Sequence, residues 1–372
     1  MGLHCAQRVT VIAVRAVVDA THAIEGGGVM ELDVAHVDQQ VATGRLPERH
    51  RIDELVEAAY RHAGRHAEGE LASYIPALAL ADPEAFGVSV VDVHGEAHEE
   101  GNTRNEFSIQ SISKVFVYAL VCEHLGHDAA FSTVGVNNTG LAFNSIIALE
   151  LHDGHPRNPM VNAGALTTTG LVPGATTAER WEFIHDGLSR FAGRALQVDE
   201  RVYRSELETR HRNTAIAQLL VSYGRIRQDP DELVDVYTRQ CALSVDAHDL
   251  AVMAATLADG GVNPVTGERV VSAHVARDTL AVMASSGLYE NSGEWLLEVG
   301  LPGKSGVSGG LIAVAPGKAG IGTFAPPLDS AGNSVRGQIA AAYLSRALGL
   351  NVFASASHFP QDGEPHVTRS TS

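Results

Sequence analysis

The stretch FSIQSISKVF, residues 107–116, decides how this sequence is interpreted. It sets Ser111 and Lys114 three residues apart, and residues at that spacing share one face of a helix. The serine hydroxyl is then placed to act as a nucleophile whose proton passes to the lysine amine. An unperturbed lysine has a pKa of about 10.4, so a lysine base at neutral pH requires burial or a second cation nearby. Ser-x-x-Lys alone is a weak motif, and a surface serine and lysine on a helix is the ordinary alternative.

The glycine-rich stretch GKSGVSGG, residues 303–310, supplies that second cation in Lys304. Dense glycines let backbone N–H groups approach a developing oxyanion closely, although a turn between strands is the simpler interpretation. Lysine occurs only at 114, 304 and 318, among 27 basic residues, and only an amine readily becomes a neutral base. Ser-x-x-Lys and Lys-Ser-Gly match two of the three signatures of serine β-lactamases and penicillin-binding proteins. The third, Ser-Asp-Asn, is absent, and Tyr289-Glu290-Asn291 lies too close to Lys304 to replace it.

Composition excludes several classes of protein. The chain has 372 residues, 45% of them hydrophobic, which is enough for a substantial core. Its formal net charge of -17 and its lack of a basic run argue against a nucleic-acid ligand. The sequence contains no apolar run of roughly 18 residues, so no membrane span is expected. Arg15 interrupts the only stretch that resembles an export signal. Three scattered cysteines, Cys5, Cys122 and Cys241, fit neither a disulfide framework nor a zinc finger, so we expect a cytoplasmic location.

Periodicity predicts strands near both ends of the chain and helices between them. An amphipathic helix is expected from Arg51, a strand over 86–93 that forms a hairpin with the next segment, and a helix capped by Ser108 that runs to about His124. Further predictions are helices at 178–192, 211–223, 246–258 and 273–286, paired strands at 311–316 and 320–326, and a closing helix over Gly337–Leu348. This order implies a sheet built from both chain ends, with a helical insertion over roughly 125–285.

A series of ordered motifs carries a specific resemblance. The motifs are SYIPALA (73–79), FSIQSISKVF (107–116), GLAFNSIIALEL (140–151), NPMVNAGAL (158–166), VYTRQC (236–241), MAATLADGGVNP (253–264), GLY (287–289), VGLPGKSGVSGG (299–310) and PPLDSAGNSVRG (326–337). In this order they resemble the serine-dependent glutaminases of the bacterial glutaminase A type. The resemblance implies an α/β (α+β) fold of the β-lactamase/transpeptidase-like kind, with an antiparallel sheet flanked by helices and a helical subdomain. It covers about residues 41–353, which leaves 1–40 as an N-terminal extension and 354–372 as a flexible tail.

The resemblance implies hydrolysis of L-glutamine to L-glutamate and ammonia through a glutamyl-enzyme ester, without a cofactor. Matching motifs make Ser111 the nucleophile and Lys114 its base, with Tyr74 and Tyr289 as hydroxyls near the reacting amide. Tyr289 is the candidate proton shuttle to the leaving ammonia. The positions that match the substrate-binding groups of the family are the oxyanion-hole amides of Ser111 and Val307, the side chains of Asn162, Glu206, Asn213 and Tyr237, and, in supporting roles, Gln110 and Lys304.

Each of these side chains also has an ordinary interpretation. Glu206 could supply the anion that the α-ammonium of glutamine needs, but its stretch RSELETRHRN alone reads as a solvated helix start. Asn162 and Asn213 could be helix caps, and half-buried packing is the commoner fate of a tyrosine. Only the motif context favours the functional interpretation.

Two further features bear on the site. His62 and His66 are one helical turn apart, but the sequence offers no obvious third ligand, so no metal site is expected. Family members commonly show Glu-Pro-Ser-Gly where this chain has Asn137-Asn138-Thr139-Gly140. Because none of the matched positions lies in this loop, we expect the departure to affect local geometry rather than chemistry.

Two rival functions remain open at this point. One is a hydrolase of the same fold that processes β-lactams or D-Ala peptides, which the missing Ser-Asp-Asn signature disfavours. The other is a glutamine-binding protein without catalysis. For partners, the sequence leads us to expect L-glutamine, no nucleic acid, no membrane, and by resemblance a homodimer or homotetramer.

Overall fold

The computed structural model describes residues 32–34, 36–40 and 44–355, so most of the expected N-terminal extension and C-terminal tail lies outside the described residues. Two antiparallel sheets organise the described part of the chain. The larger sheet has the strand order β2-β1-β8-β7-β6 and the smaller one β3-β5-β4. The strands are β1 (Gly87–Asp92), β2 (Ala97–Gly101), β3 (Phe107–Ser108), β4 (Gln197–Val198), β5 (Leu243–Val245), β6 (Gly303–Ser305), β7 (Gly310–Ala315) and β8 (Ala319–Phe324).

Some helices pack against the larger sheet, and others form a separate helical region. Their bounds are α1 (Arg49–Ala63), α2 (Ser113–Leu125), α3 (His127–Thr133), α4 (Ile147–Glu150), α5 (Asn162–Gly170), α6 (Thr177–Ala192), α7 (Glu200–Thr209), α8 (His211–Ser222), α9 (Pro230–Cys241), α10 (Ala247–Ala258), α11 (Ala273–Ser286), α12 (Ser292–Glu298) and α13 (Val335–Ala347). Within the described residues, no helix is long and apolar enough to cross a bilayer.

The centre of the larger sheet depends on two glycines of β8. A Cβ at Gly320 would lie 2.4 Å from the main-chain oxygen of Ala251, and one at Gly322 would lie 2.2 Å from that of Ala247. Both oxygens belong to α10, so only glycine lets this helix approach the strand so closely. The approach buries an apolar layer against the sheet, in which Leu250 is fully buried.

Most predicted elements are confirmed. The hairpin predicted from 86–93 is β1 paired with β2, and the strands predicted at 311–316 and 320–326 are β7 and β8. The expected fold class, an antiparallel sheet with flanking helices and a helical part, is also confirmed. The capping role of Ser108 is wrong, because Ser108 pairs with Ser244 in the smaller sheet and α2 begins at Ser113.

The smaller sheet ties the segment before Ser111 to the helical part. Phe107 pairs with Val245, and the amide of Ile109 donates to the carbonyl of Leu243 at 2.8 Å. Strand β5 directly follows α9, whose inner face packs in a helical core with α5 and α8. Ser111 therefore lies where the large sheet and the helical part meet.

Candidate active site

A pocket of about 190 Å³ opens above Ser111 and brings most of the predicted site residues together. Its walls come from widely separated segments of the chain. Of the predicted residues, those that line it are Tyr74, Gln110, Ser111, Asn162, Glu206, Asn213, Tyr237 and Val307. The volume lies below the range of drug-sized ligand sites, so the pocket suits a small molecule.

An unusual backbone conformation presents Ser111. Gln110 has φ of 51°, in the left-handed region that non-glycine residues rarely adopt, and it opens a short 3₁₀ helix, Gln110–Ile112. The carbonyl of Gln110 accepts a hydrogen bond from the Ser113 hydroxyl at 2.8 Å, which holds the turn. Residues three apart in 3₁₀ geometry are nearly eclipsed, so Ser111 and Lys114 share one face although the α-helix starts only at Ser113.

Lys114 is a buried amine with polar partners. Its side chain is 1% exposed, and Nζ donates to Asn162 Oδ1 at 2.7 Å. Burial lowers the pKa of Lys114 to about 8, while the nearby Cys241 and Glu206 raise it again in part. A substantial neutral fraction is therefore present near pH 8, as a base for the Ser111 hydroxyl requires.

Of the two expected causes of a lowered Lys114 pKa, burial is the one that acts. Lys304 is itself fully buried, and burial together with the charge of Lys114 holds its pKa well below the ordinary range. The causes that act on the Lys114 pKa are burial, which lowers it, and Cys241 and Glu206, which raise it, so burial rather than a second cation makes Lys114 acidic.

Lys304 instead contacts Tyr289. Its Nζ lies 3.9 Å from the centre of the Tyr289 ring and donates to the carbonyl of Ser305 at 2.8 Å. The Tyr289 hydroxyl donates to the same carbonyl at 3.4 Å, and the Ser111 side chain lies close enough to lower the Tyr289 pKa in part. Burial raises the Tyr289 pKa to about 12, which keeps the phenol protonated. Tyr289 also has a left-handed backbone, with φ of 57°.

Glu206 is buried in the pocket wall rather than solvated. The residue is 8% exposed, and its carboxylate accepts a hydrogen bond from Gln110 Nε2 at 3.3 Å. Burial raises the Glu206 pKa to about 7, although Gln110 and Lys114 act in the opposite direction. A carboxylate in this environment lacks a full counter-charge, which a ligand with an ammonium group would supply.

Asn162 links the lysine to the polar side of the pocket. While its Oδ1 accepts from Lys114, its Nδ2 donates to Asn213 Oδ1 at 2.8 Å. Asn162 is the first residue of α5, and the N-cap position is Val161. Tyr237 is buried on α9 beside them, with its ring 6.0 Å from Lys114 Nζ.

The two predicted oxyanion-hole amides lie in suitable backbone settings. Ser111 is in the first turn of its short helix, where N–H groups lack intrahelical partners. Val307 is the second residue of a turn in which the Gly309 amide donates to the Gly306 carbonyl at 3.0 Å, which leaves the Val307 N–H out of the turn bond. Tyr74 borders the same pocket from its mouth and is 56% exposed.

The structure adds pocket residues that the sequence analysis missed. They are Ile75, Phe143, Asn144, Thr209, Arg210, Arg212 and Cys241. Arg210 and Arg212 lie between Glu206 and Asn213 in the same charged stretch, so that stretch as a whole was the available signal. Burial raises the pKa of Cys241 to about 12, so its thiol is a poor nucleophile despite its position.

The loop that departs from the family pattern contacts the backbone of one predicted site residue, Tyr289. Asn138 Nδ2 donates to the carbonyl of Tyr289 at 3.3 Å and to that of Ser285 at 2.9 Å. A proline at position 138 would have no side-chain donor for either carbonyl. The departure thus reaches the backbone of Tyr289.

The structure places a carboxylate beside the histidine pair, which the sequence did not reveal. Asp33 lies beside His62 and His66, and one ligand atom from each of the three falls within 4.8 Å of the others. None of these residues lines the pocket above Ser111.

Together the antiparallel sheet, the helical part and the Ser-x-x-Lys segment facing the Lys-Ser-Gly strand define a protein of the β-lactamase-like fold class. Comparison with known proteins narrows this class. A sequence model of the glutaminase family matches residues 69–353. The chain is 52% identical over 315 residues to Glutaminase 2 of Yersinia pestis, which covers 85% of this chain and 93% of that protein. It is 47% identical over 309 residues to the glutaminase of Colwellia psychrerythraea, with 83% and 99% covered.

Solved structures agree with these sequences. The probable glutaminase ybaS superposes with a TM-score of 0.81 at 44% identity, over 82% of this chain and 99% of that one. Mglu in its glutamate form gives a TM-score of 0.79 at 41% identity, over 83% and 72%. The chain belongs to the glutaminase family, which confirms the resemblance found in the sequence.

Proposed function

We propose that this glutaminase hydrolyses L-glutamine to L-glutamate and ammonia with Ser111 as its nucleophile. The observation that carries the proposal is that Ser111 lines a small pocket beside Tyr289, one turn from a buried lysine with a pKa of about 8. The glutaminase names of relatives about 50% identical over most of the chain support the same reaction.

The reaction proceeds in two steps. Ser111 Oγ attacks the carboxamide carbon as its proton passes to neutral Lys114, and the carbonyl oxygen becomes an oxyanion held by the amides of Ser111 and Val307. Each such N–H donor contributes about 3 kcal/mol to transition-state stabilisation. The C–N bond then breaks as the leaving nitrogen takes a proton from Lys114 through the Tyr289 hydroxyl, which releases ammonia, leaves an ester on Ser111 and makes Lys114 neutral again. Water, deprotonated by Lys114, attacks the ester and releases L-glutamate with the Ser111 hydroxyl restored.

The substrate's amino-acid end is held by complementary groups in the pocket wall. Glu206 pairs with the α-ammonium, which supplies the counter-charge that the buried carboxylate lacks. Asn213 and Tyr237 offer neutral polar groups to the α-carboxylate, and Arg210 and Arg212 add positive charge on the same wall. The solved structure of Mglu in a glutamate form supports an amino acid as the ligand of such a pocket.

The Ser111→Ala variant tests this proposal. We expect it to stay folded and to lose at least about a thousandfold in kcat for ammonia release from L-glutamine, as nucleophile removal does in serine hydrolases. Ser222→Ala, which changes an exposed serine on α8, is the matched control and should keep normal turnover. Near-normal turnover in Ser111→Ala would refute the assignment. L-asparagine, D-glutamine and a fluorescent penicillin, assayed in parallel, define the substrate class.

We further propose that residues 41–353 form the glutaminase domain and that the protein is cytoplasmic. The family match over 69–353 and the free, buried thiols of Cys122 and Cys241 support these two points. A homodimer or homotetramer is proposed as well, because Val352 and Phe353 expose apolar side chains along a shallow, mostly apolar groove. Light scattering after size-exclusion chromatography measures the subunit number.

A further inference from the structure

A second cluster of reactive side chains lies at the end of α1, apart from the pocket residues. His62 is in the last turn of α1, and His66 follows in the next turn, where its amide donates to the carbonyl of Ala63 at 3.1 Å. Asp33 approaches both from the segment that precedes the helix. Two imidazoles and one carboxylate are ligands that Zn²⁺ and its neighbours in the first transition row accept.

The spacing of the ligand atoms fits one ion. His66 Nε2 lies 3.4 Å from Asp33 Oδ2, and His62 Nε2 lies 3.7 Å from the same oxygen. A tetrahedral ion with bonds of about 2.1 Å to nitrogen and oxygen separates its ligand atoms by about 3.4 Å. Both distances from Asp33 Oδ2 are therefore close to that separation, and all three ligand atoms lie within 4.8 Å of one another.

The surroundings hold the ligands in place. Leu32 and Val34, on either side of Asp33, are buried, so the segment that carries the carboxylate is anchored on both sides. His62 is 8% exposed, and its Nε2 also contacts the main-chain oxygen of Asp33, a hydrogen bond that coordination would replace.

An acidic group lies behind one ligand, as is common in metal sites. While His66 Nε2 faces Asp33, its Nδ1 lies 3.5 Å from Glu68 Oε2. A carboxylate at the far nitrogen of a histidine fixes the tautomer and orients the ring toward a metal. In the described part of the chain, Asp33, His62 and His66 are the group of three histidine, cysteine or acidic side chains whose ligand atoms lie close enough together to hold one ion.

We propose that Asp33, His62 and His66 form a binding site for a divalent transition-metal ion such as Zn²⁺, with the fourth position open to water. The ion links the segment around Asp33 to the end of α1. Because none of the three residues lines the pocket above Ser111, the site acts on stability and leaves the glutaminase reaction unchanged.

The experiment uses the full chain after removal of metal with a chelator. Titration with Zn²⁺ followed by calorimetry should give one saturable site, and Tm should rise with the free metal concentration by mass action. Co²⁺ at the same site should give the strong visible absorption of a four-coordinate ion. Turnover of L-glutamine should be the same with and without metal.

Variants identify the ligands. We expect Asp33→Asn and His66→Gln, both of which change accessible side chains, to weaken binding at least about a hundredfold, and Glu68→Gln to weaken it about tenfold. His50→Gln, on the exposed face of the same helix, is the matched control and should bind as the unmodified chain does. Absence of a saturable site, or binding that survives in both Asp33→Asn and His66→Gln, would overturn the proposal.

Discussion

Lys114 and Glu206 are two buried charges whose pKa values are shifted toward each other, to about 8 and about 7. Burial is the largest cause for both, because it disfavours the charged form of each group. The reaction uses the neutral lysine, which burial favours, and the ionised glutamate, which burial disfavours. The shifts therefore set the pH range in which neutral Lys114 and ionised Glu206 coexist. Because the two groups interact, they titrate as a coupled pair.

The pH dependence of turnover follows from this pair. We expect kcat to rise with pH through about 8 and then level off, because Lys114 must be neutral to accept the Ser111 proton. The profile of kcat/KM should gain a second acid limb near pH 7, since Glu206 must be ionised in the free enzyme to bind an ammonium. Initial rates of ammonia release between about pH 5.5 and 10 measure both. A kcat that does not change across this range would contradict the role of Lys114.

Glu206→Gln should separate binding from stability. We expect KM for L-glutamine to rise about thirtyfold, or roughly 2 kcal/mol, because the substrate ammonium loses its counter-charge. The raised pKa of Glu206 means that the free protein loses stability as pH rises from the unfolded value of about 4.3 through about 7. At pH 8 the Glu206→Gln variant avoids that loss, so its Tm should be equal to or higher than that of the unmodified chain.

Glu208→Gln is the control for this change, because Glu208 lies two residues away on α7 and is exposed. It should alter neither KM nor Tm appreciably. A fall in Tm for Glu206→Gln with an unchanged KM would mean that Glu206 is structural. The Lys114 limb of the kcat profile should also move to lower pH in Glu206→Gln, since Glu206 raises the Lys114 pKa.

At the scale of elements, the loop at 137–140 and the turn at Tyr289 are coupled through one side chain. Asn138 donates to the carbonyl of Tyr289, a residue with a left-handed backbone and a hydroxyl close to the Ser111 side chain. Asn138→Ala should lower kcat about fivefold, equivalent to one hydrogen bond of about 1 kcal/mol, with little change in KM. Steady-state kinetics with L-glutamine measure the two parameters separately.

Asn137→Ala is the matched control for that variant. Asn137 is an exposed neighbour whose backbone groups bond to Arg157 and Asn158, and an alanine keeps those bonds. Unchanged kcat in Asn138→Ala, or an equal loss in both variants, would show that the side chain of Asn138 does not position Tyr289.

Elements with a regular apolar period were predicted closely from sequence. The closing helix predicted over Gly337–Leu348 is α13, Val335–Ala347. Helix α9 was not singled out, although Asp229 as its cap and Pro230 at its first position are strong start signals. The helix start at Ser108 was mispredicted because the left-handed backbone of Gln110 depends on tertiary contacts that local sequence does not encode.

For the whole molecule, the limit of sequence reasoning was the assembly of the pocket. Ser111 and Lys114 stand out locally, but Glu206 joins them through a contact with Gln110 that spans 96 positions in sequence. Its stretch looks solvated because charged residues surround it, and only the fold turns that one carboxylate inward. Residues at such distances were found through resemblance, whereas the position of Asp33 beside His62 and His66 required the structure.

The charge of the whole chain makes a prediction of its own. The chain has 44 acidic and 27 basic residues and a net charge of -17, so its excess acidic side chains repel one another in the folded state. Added salt screens that repulsion. Salt also weakens ion pairs, but those on the surface, such as Arg51 with Glu54 and Arg61 with Glu57, contribute little. Repulsion therefore dominates, and we expect Tm at pH 8 to rise as NaCl increases from about 0.05 to 0.5 M.

The same measurement near the sequence pI of about 5.4 is the control, because the net charge is close to zero there and little repulsion remains to screen. The rise in Tm should shrink or vanish at that pH. An equal rise at both pH values would mean that salt acts through hydration of apolar surface rather than through charge. Burial keeps the pocket carboxylate and amines largely out of reach of salt. We therefore expect kcat at pH 8 to stay nearly constant over the NaCl range in which Tm rises.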